Sequence, residues 1–155
     1  MNIFVLDESP KISAQMQCDK HVVKMILETA QLLCSAHWMT GSSAPYKLTH
    51  KNHPAAKWTR KSLNNYRWLV EHGLELCNEY TYRYNKVHKT RSVILWLQQN
   101  EPNIPESGFE NPPKCMPDYC KSKDVVDSYR KYYINEKKSI AKWSKRPIPN
   151  WYYGC

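Results

Sequence analysis

Residues 18–36 read Cys-Asp-Lys-His-Val-Val-Lys-Met-Ile-Leu-Glu-Thr-Ala-Gln-Leu-Leu-Cys-Ser-Ala, and they limit the fold more than any other stretch. At helical spacing Val22, Val23, Met25, Ile26, Leu27, Ala30, Leu32, Leu33 and Ala36 fill a wide arc. Lys20, His21, Lys24, Glu28, Gln31 and Ser35 crowd into the remaining arc of roughly 100°. A helix this apolar must be covered by other elements on most of its circumference, so it predicts the centre of a helical core. The narrow polar strip has two readings. It is the wet edge of an ordinary core helix, with Lys24 and Glu28 as a local pair worth a few tenths of a kcal/mol. Or it lines a cleft, because titratable groups of both signs are crowded where little water reaches.

The rest of the chain gives that helix its partners. Residues 2–6 form a short apolar segment, a strand or an extended arm, stopped by Asp7, Ser9 and Pro10. Ser9-Pro10 opens a short helix that runs into the central one. The central helix ends near residues 37–41, before the loop Gly41-Ser42-Ser43-Ala44-Pro45. Asn52 or His53 caps the next helix and Pro54 opens it. Residues 55–84 keep a helical period, with a possible break at Ser62-Leu63 and a weakening Gly73. A basic connector at 85–91 leads to a short helix at 92–99. Five prolines make residues 101–118 a long loop, either a lid or a brace. The last helix is expected over 124–145, with Val125, Tyr129, Tyr133, Ile140 and Trp143 inward and a cationic outer side. The expected fold is all-α, one compact helical domain over residues 1–155 with a short N-terminal arm and a long Pro-rich loop.

Charge and aromatic content narrow the partner. A net charge of +9 points to an anionic surface, nucleic acid first. Six Trp and eleven Tyr among these cations suit base stacking, and they equally suit a small helical core. The loop residues His50, Lys51, Asn52 and His53, with Lys20 and Arg60, are candidate phosphate contacts; a helix start favours anions. Arg146, Trp151, Tyr152 and Tyr153 form a tail that reads either as a stacking platform or as a plug on the core. No run is long and apolar enough to span a bilayer, and the N-terminus lacks signal-peptide character, so a reducing cytoplasm and free thiols at all six cysteines are expected.

The chemistry is narrowed by what is missing. Four glycines leave no phosphate-cradling loop. Cys18-x-x-His21, Cys115-x4-Cys120 and His50-x-x-His53 lack a second half-site at standard spacing, so neither metal nor cofactor is expected. Acid–base or amine chemistry remains. Glu28 or His21 are candidates to move protons, and Lys20 or Lys24 to clamp an anion or to act as an amine of lowered pKa. The α-amine of residue 1 or of Asn2 is the candidate nucleophile, since α-amines are less basic than lysine side chains.

The N-terminal arm, the central helix with its strip, the Lys51-Asn52-His53-Pro54 opening and the terminal Arg-Pro…Trp-Tyr-Tyr-Gly are together similar to the pyrimidine-dimer DNA glycosylase/AP-lyase family, the phage T4 endonuclease V type. The resemblance covers residues 1–85 loosely and 146–154. It implies a small, basic, all-helical enzyme that flips a nucleotide from the duplex. It also implies attack on the sugar C1′ by the N-terminal amine and strand cleavage by β-elimination through a Schiff base. A glutamate beside an arginine on the first long helix would stabilise the intermediate, and the aromatic tail would touch DNA. Two departures stand out. Asn2 is larger than the residues from which Met is usually trimmed, and Lys20-His21 stands where the arginine–glutamate pair is expected, leaving Asp19 and Glu28 as the nearest carboxylates.

The expected function is therefore a DNA glycosylase, with or without lyase activity, on a damaged or modified pyrimidine, in the cytoplasm of a bacterial host if phage-encoded. A monomer is the expected state. Two other readings stand beside it: a non-catalytic nucleic-acid-binding protein on the same scaffold, and an enzyme acting on a nucleotide or modified base.

Overall fold

A computed structural model describes residues 1–153. Gly154 and Cys155, the last residues of the tail motif and the sixth thiol, lie outside the described residues. The elements are α1 (Pro10–Met16), α2 (Asp19–Trp38), α3 (Pro54–Lys61), α4 (Leu63–Tyr84), α5 (Arg91–Gln99), a 3₁₀ turn (Asp118–Cys120), α6 (Val125–Glu136), a second 3₁₀ turn (Lys138–Ile140) and α7 (Asn150–Tyr153). No strand occurs among the described residues, and the expected all-α class holds.

Local capping chemistry sets most helix starts. The Ser9, Ser62 and Asp124 side chains accept backbone N–H groups of Ile12, Asn65 and Asp127. His53 Nδ1 accepts the Ala55 N–H at 3.0 Å, and Pro54 occupies the first turn where no N–H is needed. The break expected at Ser62-Leu63 is real and separates α3 from α4. α4 closes on Asn85 in the left-handed region, whose N–H returns to the Thr81 carbonyl.

α2 is the hub and packs on α3, α4 and α5. Gly73 of α4 lets these helices close up: a Cβ there would lie 3.0 Å from both Ile94 Cδ1 and Thr29 Cγ2. Its helix-weakening effect is thus exchanged for packing. Two residues of the expected apolar arc are on the surface instead. Val23 and Leu27 are 41% and 43% exposed, because they flank the strip where no helix covers α2. Ser35, expected in the strip, is fully buried and donates its hydroxyl to the Leu32 carbonyl.

Residues 2–6 form the extended arm, buried throughout and without a sheet partner. Side chains take its backbone groups. Asn2 Oδ1 accepts the Ile3 and Phe4 N–H groups, Ser13 Oγ accepts that of Leu6, and Gln17 Nε2 donates to the Ile3 and Phe4 carbonyls. Arg130 of α6 donates to the Leu6 carbonyl at 2.9 Å. Phe4 sits at φ 57, a left-handed conformation that turns its ring into the cleft described below.

The Pro-rich loop is a brace. The Gly108 and Glu110 N–H groups are taken by Asn64 and Asn65, Trp58 donates to the Glu110 carbonyl, and Asn2 Nδ2 donates to the Cys115 carbonyl. The last helix is shorter than the apolar pattern predicts. α6 ends at Glu136, and a 3₁₀ turn and irregular chain replace the stretch to residue 145. A tertiary contact wins there: the Ser144 N–H and hydroxyl donate to Asp19 at 2.8 and 2.6 Å, and the Asp19 N–H donates to the Lys142 carbonyl. Trp143 is buried by this route rather than by helical phase.

Candidate active site

The strip on α2 does line a cleft. Met1, Asn2 and Phe4 of the arm, His21, Lys24, Met25 and Glu28 of α2, Tyr132 of α6 and Lys137 beyond it enclose about 180 Å³. A shallower groove continues past Met1, Lys24 and Glu28 to Leu27, Gln31 and His50. His21, Lys24 and Glu28 share one helix face because they stand three and four positions apart.

Glu28 is the centre. Its Oε1 lies 3.8 Å from the Met1 amine and accepts the Asn2 N–H at 3.3 Å. Its Oε2 lies 3.7 Å from Lys24 Nζ, so the local pair foreseen from spacing forms, within the cleft. The buried arm thus brings both candidate nucleophilic nitrogens, that of residue 1 and that of Asn2, to one carboxylate. Of the pair Lys20-His21, His21 lines the cleft and Lys20 does not, and Glu28 is the carboxylate at the amine. Asp19 turns away, bound to Arg83 at 3.0 Å and to Ser144. Burial opposes its ionisation, but the Ser144 hydrogen bonds and the Arg83 guanidinium together hold its carboxyl below the usual range.

His21 is 5% exposed. Its ring stacks on Phe4 with centroids 4.0 Å apart, and Nδ1 lies 2.6 Å from the Tyr133 hydroxyl. Burial first, then the charges of Lys137 and Lys24, push its pKa down to about 3. It is a neutral imidazole at neutral pH. His53 flanks the amine and is lowered too, by burial and then by the nearby α-ammonium, while Glu28 and a hydrogen bond to the Met1 backbone act the other way.

The candidate nucleic-acid residues divide. Lys20, Lys51 and Asn52 are exposed, and Lys20 is not among the cleft's lining residues. His50, held at φ 52, borders the groove and has Nδ1 2.7 Å from Thr49 Oγ1. Arg60 donates to the Lys51 carbonyl and so shapes the loop. Arg146 is bidentate to Glu79, both contacts at 3.0 Å, which fixes it as a clasp for the tail. Trp151 lies edge-on to Tyr133 and donates to Met16 Sδ, and Tyr152 lies edge-on to Trp143, so both rings pack on the core. Tyr153 is 72% exposed. Phe4, Tyr132, Tyr133 and Lys137 line or back the cleft although nothing in their local sequence announced it; only the long-range fold brings them there.

A family model described as pyrimidine dimer DNA glycosylase matches residues 1–92 of the 155. The chain belongs to the pyrimidine dimer DNA glycosylase family. Its class of activity is that of a DNA-repair glycosylase, and the family's substrate is DNA. Comparisons with curated proteins and with solved structures gave no match. The match to the glycosylase family contains the arm, α2, the 50–54 loop and α4, so it covers Glu28, both candidate amines, His21 and Lys24. Tyr132, Tyr133 and Lys137 lie beyond it. No helix of the described residues is long and apolar enough to cross a membrane. Among them no group of three or more His, Cys, Asp or Glu side chains is placed to hold a metal ion.

Proposed function

We propose that this glycosylase acts on a damaged pyrimidine in duplex DNA and also cleaves the strand as an AP lyase, with its N-terminal α-amine as nucleophile. The observation that carries this is the amine–carboxylate pair: Glu28 Oε1 lies 3.8 Å from the Met1 nitrogen and 3.3 Å from that of Asn2. Whichever residue is terminal, its amine stands beside the same carboxylate. The neutral amine attacks C1′ of the target nucleotide, a C1′–N bond forms, and the base leaves with the glycosidic electron pair. Opening of the sugar ring gives a cationic iminium. Glu28 lowers the energy of that cation and accepts the C2′ proton, after which the 3′ phosphate departs. Lys24, 71% exposed at the mouth of the cleft, meets the DNA backbone.

The exposed loop of His50, Lys51 and Asn52, with Lys20 and Tyr153, is the proposed DNA-facing rim, supported by the net charge of +9. His53 and Arg60 shape that loop from behind. The chain acts as one domain over residues 1–155, since its first residues are tied to α6. The test is borohydride trapping on an abasic-site duplex, with intact mass of the protein recorded beside it. The expected result is a covalent adduct mapped to the α-amine. Tight binding with no adduct would make it a glycosylase that uses water, or a binding protein on the scaffold.

A further inference from the structure

His21 has one nitrogen used and one open. The Tyr133 hydroxyl accepts the Cys18 N–H at 3.3 Å, and its single proton has two places to go: His21 Nδ1 at 2.6 Å or Cys18 Sγ at 3.7 Å. Imidazole nitrogen is the stronger and nearer acceptor, so Nδ1 accepts and the ring proton sits on Nε2. That nitrogen has no protein partner among the described residues, belongs to a side chain more than nine-tenths buried, and is on a ring that lines the cleft. The sealed orphan in the structure is Gln17 Oε1, not this atom, so Nε2 opens to the cleft. A nitrogen that carries its proton while the other is occupied has no lone pair for base catalysis. In this tautomer His21 offers the cleft a hydrogen-bond donor rather than the base expected from the sequence.

Two ammonium groups stand around that donor. Lys24 is one turn along α2. Lys137 is held over two rings, 4.7 Å from the Tyr132 centroid and 5.6 Å from the Phe4 centroid, and the Phe4 ring in turn stacks on His21. Both lysine charges are felt at His21. A neutral donor between two cations adds a hydrogen bond without adding a third repelling charge. His21 lies seven positions before Glu28, on the order of 10 Å along the helix. The donor thus stands about two turns along α2 from the carboxylate beside the amine, in the same cleft.

We infer that His21 Nε2–H, Lys24 Nζ and Lys137 Nζ form an anion subsite that grips the phosphodiester next to the target nucleotide, with Tyr133 positioning the imidazole. The inference deepens the reading above and rests on DNA being the substrate, but it does not require the amine chemistry. Lys137 and Tyr133 would then supply from beyond the family match what the matched segment lacks.

Two measurements test it. The first is ¹⁵N NMR of His21 in the intact protein at neutral pH. The expected spectrum shows the Nε2–H tautomer, and in Tyr133→Phe a mixture of tautomers with the fold unchanged. The Nδ1–H tautomer in the wild type would overturn the assignment. The second uses a duplex with a tetrahydrofuran abasic analogue, and the same duplex carrying a neutral methylphosphonate at each flanking linkage in turn. Lys137→Ala should weaken binding to the all-phosphate duplex on the order of tenfold and lower the salt slope by about 1. It should cost nothing further once the gripped linkage is neutral. An equal loss on all three duplexes would overturn the subsite. His21→Gln, whose amide nitrogen replaces Nε2, should bind close to wild type while His21→Ala does not; equal loss in both folded variants also counts against it. Failure of the amine reading is seen elsewhere, as no borohydride adduct from the wild type, while these binding arms still report.

Discussion

Both oxygens of Glu28 are engaged, one with the N-terminal nitrogens and one with Lys24. Glu28→Gln keeps the shape and the hydrogen bond but removes the negative charge. Trapped adduct should fall by about 100-fold or more with the unfolding midpoint little changed; trapping yield against a urea titration checks both halves. A second consequence concerns acid. His21 and the fully buried His72 are held neutral by desolvation, at about 3 and about 4. Both folded-state values lie below the ordinary imidazole value, so the unfolded chain binds more protons as pH falls. Stability is therefore complete above about pH 6.5 and should decline below it, on the order of 1 kcal/mol per pH unit for each ring until its folded value is reached. Urea midpoints from pH 7 to 4.5 measure this, and a flat profile would show that neither ring is kept neutral. At this scale the sequence was informative where spacing is local. Lys24 and Glu28 lie one turn apart, and His21 one turn before them, so one helix places all three. Arg146 marks the limit of that reading: a cation beside aromatics looks the same in sequence whether or not it pairs with a buried glutamate sixty-seven positions away, as it does here.

Helix starts were readable because capping is a short-range bargain between a side chain and the next three N–H groups, as at Ser9, Ser62 and Asp124. The end of α6 was not. Apolar residues continue past Glu136 at workable spacing, yet Asp19 draws Lys142 and Ser144 out of register. No pattern within residues 124–145 carries that information. Gly73 shows the same limit in the other direction. In sequence it is a weak point of α4; in space it is the contact between α2, α4 and α5. Gly73→Val should lower stability by at least about 2 kcal/mol, since a branched side chain would meet the Thr29 and Ile94 methyls while the helix gains little in propensity. Chemical denaturation settles the point, and a stabilised variant would mean that the three helices are free to shift apart.

Across the molecule, the tail and the cleft share one wall. Trp151 lies edge-on to Tyr133, with centroids 6.0 Å apart, and Arg130 stands 5.5 Å from the Trp151 centroid. Trp151→Ala should therefore cost on the order of 1 to 2 kcal/mol of stability, less than for a core ring because Trp151 is only partly buried. Tyr153→Ala should leave the melting temperature within about a degree and reduce duplex affinity, since its exposed ring is the one left to stack. Thermal melts beside binding titrations separate the two, and equal effects from both variants would return the tail to a single role.

The arm that carries the amine has its own timetable. Asn2 waits for Cys115, Leu6 for Arg130 and Phe4 for Tyr132, all more than a hundred positions later. During synthesis the first residues leave the ribosome long before the side chains that fold them inward. Until residue 137 has emerged, the growing chain carries a loose amine and an unfinished helix surface, without the Tyr132 and Lys137 wall of the cleft. The cleft is thus complete only once Tyr132 and Lys137 have folded onto the arm.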